Sequence, residues 1–337
     1  MIIPANSSST LLLLVFSMIC LAGWANTQKA AGKWRFELYY IDFGLGMLLF
    51  AVALALTFGS LGSDLSVEDN LAIAGKRNMA YAMVAGAAFS LSNMLLAAAV
   101  SVAGMSVAFP IAFAVTMILG AFLNFIFKVP ANIPYAVVGM LFLLGSITTM
   151  AFAHAGHLEE MRKNLTPAAR RRRDSAAKGI LLSCISGFFM TLFIPLVDMS
   201  KASEIGLGPY TVGIFMALGA FLIIFPLNLY FMNLPVSGES INFLLYTKGT
   251  MKQHFLGFLG GLMASAGMIG VLVAYSASKQ ALSLISAYAL THAVPLLSIA
   301  CGILVWKEFS GATGKTPLFL GLGGLLFAAG LGCLAIA

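Results

Sequence analysis

Ten stretches of about 20 residues each, almost free of charge, recur along the chain with short polar gaps between them. They occupy residues 9–25, 38–58, 79–98, 108–127, 133–153, 180–199, 210–232, 255–277, 282–306 and 318–337. A helix needs roughly 20 apolar residues to cross the hydrocarbon layer, so each run suffices for one crossing. Ten crossings take up about 200 to 230 residues and leave no room for a soluble catalytic domain. Only 9% of the 337 residues are charged and 60% are hydrophobic, where a soluble domain averages about 25% charged. The fold class that follows is an all-α polytopic membrane protein with ten transmembrane helices. The weakest border lies between the third and fourth runs, where 101–104 is the sole interruption.

The longest basic gap, 156–178, divides the runs five and five. An odd number per half forces the halves into opposite orientations, as in a 5+5 inverted repeat. Asn26-Thr27-Gln28-Lys29 after the first run corresponds to Asp198-Met199-Ser200-Lys201 at the end of the sixth, and Phe127-Lys128 corresponds to Trp306-Lys307. The expected organisation is a first repeat over 1–155, a basic linker over 156–178 and a second repeat over 179–337.

Charge then sets orientation. The net +7 would fit nucleic-acid binding if it were clustered, but the cations lie in the gaps between apolar runs, where they report topology. The odd-numbered connections hold most of them, among them Lys29, Lys33, Arg35, Arg162, Lys163 and Arg170 to Arg173; the opposite side has only Lys76, Arg77, Lys128, Lys201 and Lys279. The positive-inside rule predicts a multi-pass protein of the cell (inner) membrane with the central loop cytoplasmic and both termini outside. The start of the chain lacks a basic segment and a small-x-small cleavage site, so its first run is expected to be a retained helix. Cys20, Cys184, Cys301 and Cys333 are scattered singly through apolar runs and are expected to be packing residues.

Chemistry must come from polar groups inside the spans, because lipid makes them costly to keep. Asp42 lies about one turn into the second run, beside Glu37, Tyr39 and Tyr40. It is a candidate proton-coupling carboxylate, since a partly dry site raises a carboxyl pKa. The alternative is an ion pair at a helix start, neutralised by Lys29 or Arg35. His292 stands near the centre of the ninth run beside Thr291 and three residues before Pro295. Proline cannot donate to the carbonyl four residues back, so Thr291 offers a free carbonyl beside an imidazole, a place for solute or for a proton. A packed, satisfied histidine is the other reading. Pro195 frees the carbonyl of Thr191 in the same way, and Pro110 that of Ser106.

Trp24, Asn26 and Thr27 end the first run, and Asn93 and Thr116 lie within the third and fourth. An indole face with amide and hydroxyl groups suits a small polar solute. An interfacial belt accounts equally for Trp24, and interhelical bonding for Asn93 and Thr116. Asn124 and Asn228 carry a weaker signal of the same kind. Asp198, with Lys201 and Glu204 nearby, is expected to be a solvated interfacial group. Gly257 and Gly261 let the eighth helix approach a neighbour, and Gly321, Gly324, Gly330 and Gly332 do the same for the tenth, toward another helix or, as a homodimer, a second copy.

Enzyme motifs fail on inspection. Gly314-Lys315-Thr316 resembles the end of a phosphate loop, but Phe309 stands where the first glycine belongs. His154, His157 and Glu160 have no third ligand cluster, so neither a metal nor a cofactor is expected.

The ten short-looped runs in five-plus-five order resemble the drug/metabolite transporter superfamily. Within it, Trp24-Ala25-Asn26-Thr27-Gln28-Lys29 and Leu38-Tyr39-Tyr40-Ile41-Asp42-Phe43 resemble the first two helices of the ureide permease family and its bacterial relatives, near the rhamnose, ribose and glucose uptake families. The resemblance implies proton-driven uptake of cyclic ureides or nucleobases through a cavity between the halves. Plant members carry a long central loop with a nucleotide-binding-like motif, which 156–178 lacks. The expected function is a secondary transporter for a small polar metabolite (ureide, nucleobase or sugar) working by alternating access. An exporter of the same fold, or a receptor or scaffold without transport, is the alternative. Expected partners are the solute, protons and the lipid bilayer.

Overall fold

The computed structural model describes residues 1–62, 65–127, 132–163, 176–202, 206–281 and 284–337, with backbone alone for 278–281 and 284–287. Lys128, Arg170 to Arg173, Glu204 and the side chain of Lys279, all used above to argue topology or charge, lie outside the described residues.

The helices are α1 (Ser7–Ala30), α2 (Phe36–Leu56), the short α3 (Val67–Ile73), α4 (Lys76–Ala103), α5 (Met105–Phe127), α6 (Ile133–Lys163), α7 (Ala176–Lys201), α8 (Pro209–Asn233), α9 (Met251–Ala281), α10 (Leu284–His292), α11 (Val294–Ala300) and α12 (Thr316–Ile336). A 3-10 turn, Phe243–Lys248, precedes α9, and a π turn, Cys301–Val305, follows α11. Among the described residues, ten helical segments are long and apolar enough to span a membrane: α1, α2, α4 to α9, the stretch Tyr288–Val305 and α12. The chain is therefore an integral multi-pass membrane protein. Helix starts follow local chemistry. Asn6 caps α1 by accepting from Ser9 N at 2.8 Å, and Pro209 opens α8, where its missing N–H costs nothing. The faint interruption at 101–104 is a true break: Gly104 has φ +82, a left-handed turn that separates α4 from α5. Leu12, Phe16 and Ile19 on α1, and Leu318 and Leu325 on α12, are exposed large apolar side chains of the kind lipid covers.

The chain forms two compact units, the first over 1–94 and 192–291 and the second over 95–191 and 292–337. Each unit takes spans from both halves of the sequence, so compactness does not follow the expected 1–155 and 179–337 division. The borders fall inside helices or at a helix break. Two of them, at Thr191 and Thr291, stand four residues before Pro195 and Pro295, the positions where proline leaves a carbonyl without its helical donor. At the second, α10 ends at His292 and α11 begins at Val294, whereas α7 runs on through Pro195.

In the first unit α9 lies against α1 and α2 through missing side chains. A Cβ on Gly261 would meet the Phe43 carbonyl, and one on Gly46 the Phe258 carbonyl, so α2 and α9 touch backbone to backbone. Gly267 sits 2.9 Å from the Ser17 carbonyl of α1 by the same measure. At the opposite end Asn70 donates to Gly206 O at 3.1 Å and accepts from Gly208 N at 2.9 Å, and Asn78 donates to Ser200 O at 3.0 Å.

In the second unit α6 packs on α12 around Gly139, Gly323 and Gly330, and Ser146 donates to Gly323 O at 2.8 Å. Val107, Ile111, Met150, Ala153 and Leu320 form its apolar core. The Glu308 carboxylate accepts from Met105 N at 2.8 Å and Ser106 N at 2.9 Å, capping α5 from a segment two hundred residues away in sequence. Of the four α12 glycines expected to pack, Gly330 approaches α6 closely, while Gly321 and Gly332 face open space.

Candidate functional site

The end of α1, the start of α2, the 3-10 turn and the start of α9 converge at one end of the first unit. Glu37, fully buried, meets the Arg35 guanidinium through two contacts, 2.5 Å at Oε1 and 3.2 Å at Oε2. Arg35 also donates to Glu239 O at 2.7 Å. A two-pronged guanidinium is the geometry that offsets the cost of burying a carboxylate. The charge is closed locally and Arg35 is spent on Glu37.

Asp42 is the seventh residue of α2, about 9 Å along the axis at 1.5 Å per residue. It is 6% exposed. Tyr246 Oη donates to Oδ1 at 2.5 Å, and His254 Nδ1 lies 2.9 Å from Oδ2. Both oxygens thus have partners from the segment 246–254, in place of the Lys29 or Arg35 partner weighed from sequence. Gly257, three residues after His254, makes room: a Cβ there would fall 2.7 Å from that of Asp42. The His254 ring is bordered edge-on by Tyr246 at 4.6 Å and by Trp34 at 5.5 Å. Burial, followed by the bond to Asp42 and its charge, pushes the Tyr246 phenol well above its ordinary pKa, so it stays a donor through the physiological range.

One turn nearer the start of α2, Tyr39 Oη, Thr27 Oγ1 and the Trp24 carbonyl form a triangle: Thr27 donates to Trp24 O at 2.7 Å, Tyr39 donates to Thr27 Oγ1 at 2.7 Å, and Trp24 O lies 3.1 Å from Tyr39 Oη. Gly260 leaves the space that the Tyr39 and Thr27 hydroxyls fill. Trp24 is 2% exposed and stands edge-on to Phe43 at 5.6 Å, so it is an interior residue and not a belt residue at the lipid surface. Trp24, Thr27 and Asp42 therefore belong to one seam of α1, α2 and α9.

The other predicted positions are dispersed. The half-buried Asn26 donates to Ala22 O at 3.0 Å, and buried Asn93 to Phe89 O at 2.9 Å, each within its own helix. Thr116 belongs to the second unit and donates to Ala112 O at 2.9 Å and Gly187 O at 3.0 Å, the interhelical role weighed for it. Thr291 is half-buried and falls in the first unit; His292, buried, falls in the second. Asp198 is exposed, as expected of a solvated group. Among the described residues no group of three or more His, Cys, Asp or Glu could hold a metal.

Three residues escaped the sequence reading. Tyr246 and His254 were hidden in a connection, although α2 and α9 both start from the same side, which puts Asp42 and His254 at similar depth. Tyr40 is the third. Its hydroxyl, and both the donor and acceptor of the Asn228 amide, are buried without a hydrogen-bond partner among the described residues. Gly44 packs on Ile224, and Phe36 on Phe231 at 5.8 Å; this antiparallel register puts Tyr40 and Asn228 at one level on α2 and α8.

Residues 39–178 match the family model for ureide permeases, a stretch that includes Asp42 but not Tyr246 or His254. Ureide permease 2 of Arabidopsis thaliana is 21% identical over 345 residues, which is 83% of this chain and 84% of that protein. A solved crystal structure aligns over 97% of this chain and 96% of its own, with 14% identity and a TM-score of 0.53, a likeness of fold alone. The two permease likenesses point to a transporter of solutes and not to an enzyme.

Proposed function

We propose that the chain is a secondary transporter that takes up ureides, or solutes of similar size and polarity, together with protons by alternating access. The observation that carries this reading is Asp42, a carboxylate nine-tenths buried in an apolar helix with Tyr246 and His254 on its two oxygens, inside the stretch that matches the permease model. Carboxylate and imidazole pairs within membrane spans serve proton relays. The proline-weakened points at Thr191 and Thr291 give the chain places to bend during alternation.

Trp24, Asn26, Thr27, Asn93, Thr116, Thr291 and His292 remain the solute-contact candidates. Asn228 joins them on physical grounds, because its amide has donor and acceptor both unused and can pair with an adjacent carbonyl and N–H of a ureide. The protein sits in the cell membrane with the odd-numbered connections in the cytoplasm, supported by the Lys and Arg distribution.

Uptake of a labelled cyclic ureide into proteoliposomes tests the reading. Accumulation is expected to follow an imposed pH gradient, and Asp42→Asn is expected to abolish accumulation while sparing counterflow. Uptake indifferent to the gradient removes the proton role. An absence of trans-acceleration by unlabelled solute removes the carrier.

A further inference from the structure

We propose that His254 is the port through which Asp42 exchanges its proton with the solution at the end of the first unit where α2 and α9 begin. The inference rests on Asp42 being the coupling carboxylate and adds the route by which the proton reaches it. Three observations carry it. The side chains differ in access, 8% exposed for Asp42 against 25% for His254, and the two are 2.9 Å apart. The other carboxylate oxygen is closed by Tyr246, a phenol that stays protonated and so donates without relaying. The far edge of the imidazole, Nε2, lies against Gly249, where a Cβ would strike it, so the absence of a side chain at 249 is what gives that edge room.

The charged and titratable surroundings are few. α2 presents Asp42, and the 3-10 turn presents Tyr246. The α1–α2 connection presents the uncharged Trp34 indole, and its Arg35 is tied to Glu37. Lys248 and Lys252 flank the histidine on its own segment and are exposed.

The transfer balances in protons. A neutral His254 donates from Nδ1 to Asp42 Oδ2 and accepts a proton from solution at Nε2. The resulting imidazolium passes its Nδ1 proton to Oδ2. One proton has then moved from solution to Asp42, His254 is neutral again as the Nε2–H tautomer, and the new carboxylic acid donates back to Nδ1. Release runs the same steps in reverse.

Proteoliposomes loaded with a cyclic ureide test the port. His254→Gln keeps a polar group beside Asp42 but cannot relay a proton. It is expected to slow gradient-driven uptake at least tenfold while leaving counterflow, which needs no net proton movement, within twofold of the parent. His254→Ala is expected to behave likewise and to regain gradient-driven uptake when free imidazole is added to the buffer. Two outcomes overturn the port: gradient-driven uptake within twofold of the parent in His254→Gln, or equal loss of uptake and counterflow in both variants with no response to imidazole, the mark of a merely structural residue. A parent protein whose uptake ignores the pH gradient removes the coupling reading itself, and with it the port.

Discussion

The strongest single test of the polar cluster is a double-mutant cycle between Tyr246 and Asp42. The 2.5 Å contact from Tyr246 Oη to Asp42 Oδ1 is a hydrogen bond to a charged acceptor, a class worth about 1.5–3 kcal/mol net. Asp42 is 6% exposed, so removing the phenol hydroxyl leaves a carboxylate oxygen that water reaches poorly, and Tyr246→Phe falls at about 2 kcal/mol. With Asp42→Asn as background the acceptor is neutral and the same deletion costs about 0.5–1 kcal/mol. The coupling is the difference, roughly 1 to 1.5 kcal/mol, well beyond the 0.3–0.5 kcal/mol scatter of independent sites. Equilibrium unfolding of the four proteins in mixed micelles, followed by tryptophan fluorescence, measures it. Additive effects within that scatter would refute the claim that the turn Phe243–Lys248 is tied to α2 through this bond.

Gly261→Ala is expected to destabilise by about 1–3 kcal/mol, because its methyl meets the Phe43 backbone and neither helix can yield without the other; Gly332→Ala, facing open space, leaves the same unfolding curve within about 0.5 kcal/mol. Glu308→Ala is expected to cost about 2 kcal/mol by uncapping Met105 N and Ser106 N, with faster hydrogen exchange at those two amides, and Glu308→Gln recovers part of the loss. Asn228→Ala is expected to raise the KM for a cyclic ureide at least fivefold with the folded state unharmed, since no protein hydrogen bond is lost; an unchanged KM removes Asn228 from solute contact.

Hydropathy made the ten spans legible because lipid demands long apolar runs regardless of tertiary detail. Even the break before α5 was visible at Gly104, and the Gly257 and Gly261 spacing marked the face of α9 that meets α2. What hydropathy cannot supply is azimuth. Asp42 and His254 stand 212 residues apart, and depth alone does not say which helices adjoin. The same limit hid Glu308, whose value lies in reaching the start of α5 rather than in anything near it in sequence. The α12 glycines show the same limit: Gly321 and Gly332 share a composition signal with Gly330, yet of the three only the last faces α6.

Polar side chains in the spans sort by whether the protein itself answers them. Thr27, Asn93 and Thr116 direct their groups to carbonyls of their own or a neighbouring helix, so a solute reaching them must first break a bond it then has to replace. Asp42 is answered at both oxygens, but by groups of unequal kind: a phenol that keeps its proton and an imidazole that, as the proposed port, trades one. That asymmetry is what a carboxylate needs if it is to be held in place and still change charge. Asn228 and Tyr40 are answered by nothing among the described residues, and an unmet buried polar group costs about 1–3 kcal/mol each. On the solute contact proposed for Asn228, a solute bearing an adjacent carbonyl and N–H recovers that cost on binding. An apolar solute of the same size does not, so the solute contact proposed for Asn228 predicts discrimination in favour of amide-bearing solutes.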